Sequence, residues 1–111
     1  MKLKELAKSL ELEQDEFLEL VYLFVKTSSS DLNKLQSAIE EGDSGKVAGF
    51  AHSIKGAAVT LGFTEIFEYA KKMETNAWVN DLNGATGVVK SIEEEIGWIA
   101  KGLHKEIKSK N

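Results

Sequence analysis

The 111-residue sequence has no cysteine and no proline. Without thiols there is neither a disulfide framework nor a thiolate metal site, a composition that fits a reducing compartment. Without proline, nothing in the chain is forced to kink or break a helix. Positive charge is not in excess either. Fourteen lysines and no arginine stand against 18 acidic residues, a net charge of −4, unlike the basic footprint of a nucleic-acid binder. DNA and RNA are therefore not expected partners. No apolar run approaches the roughly 18 residues of a membrane span, and Glu5 interrupts any signal-peptide core near the start. The expectation is a soluble, cytoplasmic protein with no membrane partner. Also missing is any segment that alternates apolar and polar residues long enough to suggest a strand.

What the chain does have is helical periodicity throughout. Leu3, Leu6 and Leu10 predict a short helix over Lys2 to Leu10. From Glu13 to Glu41, Phe17, Val21, Phe24, Ser28, Leu32, Leu35 and Ile39 recur every three or four residues, and the phase carries straight across Ser28–Ser30, predicting one long helix. Glu41-Gly42-Asp43 and Val79-Asn80-Asp81 each pair a residue suited to a left-handed C′ position with an aspartate suited to N-capping. Gly62 is expected to end a third helix and Thr64 to cap a fourth, which runs to Trp78 with Ile66, Ala70, Met73 and Ala77 inward. A last helix follows Asp81 and carries Leu82, Ala85, Val89, Ile92, Ile96, Ile99, Leu103 and Ile107. Four such helices joined by short turns predict an all-α fold: an up-down-up-down four-helix bundle with the short N-terminal helix capping it, a single domain over 1–111.

One segment stands apart, Ala51 to Gly62. Val47, Phe50, Ala51, Ile54, Ala58 and Leu61 share an apolar stripe, and His52 lies about 140° away from Val47 around the helix. On that far side the neighbours are Gly45, Ala48, Gly49, Gly56 and Val59, with Lys55 the only long side chain. Glycine inside a helix costs about 1 kcal/mol relative to alanine, so Gly49 and Gly56, at i−3 and i+4 from His52, call for a reason. Close approach by a partner supplies one. A neutral imidazole is a competent nucleophile near pH 7, because its reference pKa is about 6.5.

His52-Ser53-Ile54-Lys55-Gly56 followed by Gly62 resembles the H-x-x-K-G-x-x-x-x-x-G signature of histidine-containing phosphotransfer (Hpt) domains. Glu40-Glu41-Gly42-Asp43 resembles that family's turn before the histidine helix. The resemblance implies a phosphocarrier of two-component phosphorelays, with His52 accepting and donating a phosphoryl group between aspartates of response-regulator receiver domains. It implies a sensor histidine kinase, hybrid or not, upstream. Lys55 would reach toward the phosphoryl group and Gly56 would leave room for it. In the chemotaxis-type members a glutamate on the next helix holds Nδ1 of the histidine, and Glu74 of Met73-Glu74 is the matching position here.

The sequence has no nucleotide-binding loop and no acidic cluster resembling a receiver's metal site. No cofactor or metal is thus expected on this chain; Mg²⁺ and the reactive aspartate should come with the partner. The expectation is a monomeric carrier rather than an enzyme. Two other readings remain, a phosphoacceptor module of a chemotaxis-type kinase and a helical adaptor that binds a receiver without carrying phosphate. Phe67, Lys71, Glu74 and Trp78 recur beside the inward stripe of the fourth helix. Phe67 and Lys71 either share the groove of His52 or form an ordinary helix flank, and Trp78 either faces that groove or covers the bundle's end. Leu18, Tyr22 and Val25 either dock a partner or receive the first helix. His104, among lysines, reads as solvated.

Overall fold

A computed structural model describes residues 3–109 of the chain. It contains five helices: α1 (Leu3–Ser9), α2 (Gln14–Glu41), α3 (Ser44–Leu61), α4 (Thr64–Trp78) and α5 (Ala85–Ser109). No strand occurs among the described residues. Lys2, expected at the start of the first helix, lies outside them. Helix α2 is continuous through Ser28–Ser30. Ser28 is buried in line with Phe24 and Leu32, so tertiary burial holds the segment helical, and the Ser29 hydroxyl, which donates to the carbonyl of Val25 at 2.7 Å, finds its partner within the helix.

Helix α3 packs against α2 and α4, and α5 packs against the same two, so α3 and α5 lie across the bundle from each other. Helix α1 packs against α2 and α5. The shared interior is apolar: Phe17, Val21 and Leu35 of α2, Val47, Ala51 and Ile54 of α3, Ile66 and Ala70 of α4, and Ile92 and Ile99 of α5 are all 1% exposed or less.

The turns follow one pattern with one variable part. Gly42 (φ +72°) and Gly62 (φ +81°) both adopt the left-handed conformation. After each, the next amide donates back to the helix just ended, Asp43 to Ala38 and Phe63 to Ala58, both at 2.9 Å. These are Schellman closures, and the positive φ is what calls for glycine. Asn80 (φ +59°) occupies the same position after α4, with Asp81 donating to Asn76 at 2.9 Å. What begins the next helix differs in each case. The Asp43 side chain accepts from the Lys46 amide at 3.1 Å, an ordinary N-cap.

Thr64, expected to cap α4, is instead its first helical residue, and the N-cap position belongs to Phe63, which makes no side-chain cap bond. Phe63 is 1% exposed and its ring lies 5.1 Å from that of Phe24, so the position is given to the core rather than to capping. Asp81 does not cap α5 either. Its carboxylate accepts from the Asn83 amide at 3.0 Å, and a short loop through Gly84 (φ +77°) delays the helix to Ala85. Ile107, expected inward, is 46% exposed. Gln14, the first residue of α2, already bonds Glu106 at 3.3 Å, so Ile107 lies level with the end of its neighbour and has little left to bury against.

Candidate functional site

Helix α3 divides cleanly by side. Val47, Ala51, Ile54, Ala58 and Leu61 are buried, whereas His52, Gly45, Gly49, Gly56 and Val59 are exposed. A Cβ built on Gly49 or Gly56 would meet nothing within 4 Å, so neither glycine is demanded by packing. Ala48 departs from its expected place on the accessible strip: it is 4% exposed. It sits at the border where α4 closes on α3, and its methyl group belongs to the core.

The turn at Gly62 and Phe63 folds α4 back along α3, and this brings Glu74 beside His52. Glu74 Oε2 lies 2.8 Å from His52 Nδ1, and Oε1 lies 2.6 Å from Lys55 Nζ. One carboxylate thus spans a turn of the opposite helix. The His52 side chain is 67% exposed and that of Glu74 only 12%, so the ring stands out from the surface while its partner sits beneath it. The Lys55 bond, reinforced by the His52 bond, holds the Glu74 carboxyl below the usual glutamate range against the opposing effect of burial. Glu74 is therefore an ionised, acceptor-only group near neutral pH. Nδ1 of His52 must then carry the proton, which in the neutral ring puts the lone pair on Nε2.

Lys55 bonds Glu74 and is only 25% exposed; it does not extend freely into solvent. Phe67 is half-buried against the core, and Lys71 lies over its ring at 5.8 Å, a cation–π contact on the same side of α4 as Glu74. Trp78, one turn past Glu74, is 72% exposed, which is too open for a cover over the bundle's end.

Along α2 the outcome is mixed. Leu18 is buried, and α1 packs on this helix. Tyr22 is exposed and Val25 partly buried. The groove that does open between α2 and α3, about 440 Å³, is lined instead by Leu20, Leu23, Thr27 and Asp31 facing Ser53 and Ala57, with Phe24 at its floor. Its signal was available in the spacing of Leu20, Leu23 and Thr27, a second stripe one residue before Val21, Phe24 and Ser28. No helix among the described residues is long and apolar enough to cross a membrane.

Residues 19–101 match the Hpt domain family, and with three-quarters of its length inside that match the chain belongs to the family. Its structure is similar to the crystal structure of histidine-containing phosphotransfer protein B (HptB) from Pseudomonas aeruginosa PAO1, with a TM-score of 0.83 and 28% sequence identity. That similarity covers 94% of this chain and 90% of the HptB chain. No curated protein gives a significant match.

Proposed function

We propose that this protein is a histidine phosphocarrier of a two-component phosphorelay, taking a phosphoryl group onto Nε2 of His52 from the aspartyl phosphate of one receiver domain and passing it to the aspartate of another. The observation that carries this reading is the 2.8 Å contact between His52 Nδ1 and Glu74 on an exposed, glycine-flanked ring in an Hpt-family chain. The Nε2 lone pair attacks phosphorus, the bond from phosphorus to the aspartyl oxygen breaks, and the aspartate leaves as carboxylate. Nδ1 keeps its proton, so the ring becomes cationic, and Glu74 stabilises that charge in place.

On this reading Lys55, one turn on from His52 and bonded to Glu74 at 2.6 Å, shares its charge between Glu74 and the three phosphoryl oxygens. Gly56 leaves the space they and the incoming receiver need. The partner supplies Mg²⁺ and the aspartate, and a sensor histidine kinase, hybrid or not, stands upstream. The same reading takes the chain as one domain over 1–111, monomeric and cytoplasmic, with no turnover of its own. Its helices form an up-down-up-down bundle with α1 laid over one end; the two-residue turns around α3 and the closed ring of contacts among α2 to α5 support that arrangement.

The test separates a carrier from a receiver-binding adaptor. The chain is incubated with receiver domains phosphorylated by acetyl phosphate and Mg²⁺. Acid-labile, base-stable phosphate should appear on it, in the His104→Gln variant as in the parent. Binding of a receiver with no label transferred would make it an adaptor.

A further inference from the structure

The exposed apolar surface at the end of α4 has no part in holding the bundle together. Trp78 and Val79 are adjacent and each is 72% exposed. Tryptophan offers up to roughly 250 Å² of apolar area, and most of this one is left in water. Position decides which partner. Trp78 is one turn beyond Glu74 on α4, about 6 Å along the helix axis, and Glu74 is bonded to His52. Because α4 returns along α3, the indole stands level with the turn of α3 that precedes His52, where Gly49 presents bare backbone with nothing within 4 Å of its Cβ position. An exposed aromatic on α4 level with bare glycine backbone on α3 forms a step between the two helices.

We propose that this step, Trp78 with Gly45 and Gly49, grips the receiver domain that exchanges phosphate with His52. The proposal rests on the carrier reading above. Any receiver whose aspartate reaches Nε2 must cover the surface around it, and an ordinary interface of about 800 Å² per partner is a disc of about 16 Å radius. Such a disc centred on His52 includes the step. Its natural occupant is an aliphatic side chain at the rim of the receiver's aspartate pocket, packed against the indole over the glycine backbone. A large buried aromatic at that place is the kind of residue that dominates binding energy. Trp98 is the internal control. It is 69% exposed but belongs to α5, across the bundle from α3, outside the disc.

The experiment follows the initial rate of His52 labelling against the concentration of one receiver domain, the one that labels the parent chain fastest after treatment with acetyl phosphate and Mg²⁺. Trp78→Ala should raise the half-saturating concentration about tenfold or more and leave the saturated rate within about twofold. Trp78→Phe should recover part of the loss, and Trp98→Ala should change neither quantity. In the Trp98→Phe protein the remaining Trp78 emission should shift to shorter wavelength as receiver is added. A half-saturating concentration unchanged by Trp78→Ala, or raised equally by Trp98→Ala, overturns the proposal while labelling of His52 leaves the carrier reading standing. If no receiver labels the parent, both fall.

Discussion

The two sides of α3 are built from residues of similar size for opposite reasons. On the inner side Ala51 and Ala58 are fully buried, small because α2 and α4 close tightly around the helix. On the outer side Gly49 and Gly56 are exposed and face open space, and nothing in the fold asks them to be small. The inner residues are constrained by neighbours already present; under the proposed function the outer ones are left small for an incoming receiver. Ala48, buried at the border, shows how narrow the boundary is: one turn of helix holds both kinds. Substitutions on the inner side should therefore cost stability, and those on the outer side should cost transfer.

The sharpest separation comes at His52. His52→Gln should fold like the parent by circular dichroism and accept no acid-labile phosphate at all; label on that variant would remove the outer side's claim to function. Ile54→Ala, two residues on and 1% exposed, should behave in the reverse way. It should lose about 2–5 kcal/mol of stability in denaturant titration, yet become phosphorylated at the parent's rate where it is folded.

Gly56→Leu places a large side chain in space where no protein atom lies within 4 Å. Its circular dichroism should match the parent's, while transfer from a phosphorylated receiver should slow by about tenfold or more, each factor of ten being about 1.4 kcal/mol in the barrier. Undiminished transfer would show that partners do not approach over Gly56.

Glu74 links the two sides, since it is largely buried and bonds two groups of the outer one. Its carboxyl is held below the usual range, so its bonds should stabilise the fold fully above the ordinary glutamate pKa and be lost as pH falls through the lower, folded value. The stability difference between the parent and Glu74→Gln, followed by denaturation at a series of pH values, should accordingly shrink on acidification through that window. Nitrogen NMR of the His52 ring should show the proton fixed on Nδ1 in the parent and distributed over both nitrogens in Glu74→Ala.

The smallest effect should be at Gly49. Alanine there meets no neighbour and should raise stability by several tenths of a kcal/mol up to about 1 kcal/mol. A loss of stability would mean that the outer side is packed after all.

Much of this was legible in the chain because it is written in helical phase and in local turn chemistry. The apolar repeats of α2 and α3, the left-handed turns at Gly42, Gly62 and Asn80, and the exposure of His52 all depend on residues within a few positions of one another. Thr64, Ile107 and Ala48 depart from expectation because their roles depend on what lies across the bundle, whereas Asp81 departs for a local reason, its carboxylate accepting from the Asn83 amide. Phe63 takes the cap position since Phe24 is there to meet it, and Ile107 stays wet where α2 has only begun.

The same division runs through the site. By itself the sequence determined that His52 stands on the side of α3 opposite the core, with glycines around it and Lys55 one turn on, because a helix converts spacing into direction without help from the rest of the chain. Only the tertiary structure decided that Glu74 takes up both His52 and Lys55, that Trp78 is left in solvent, and that the groove toward α2 is lined by Leu20 and Leu23. Those facts turn on how far α4 and α2 slide and rotate against α3, and that register is set by the packing of four helices at once.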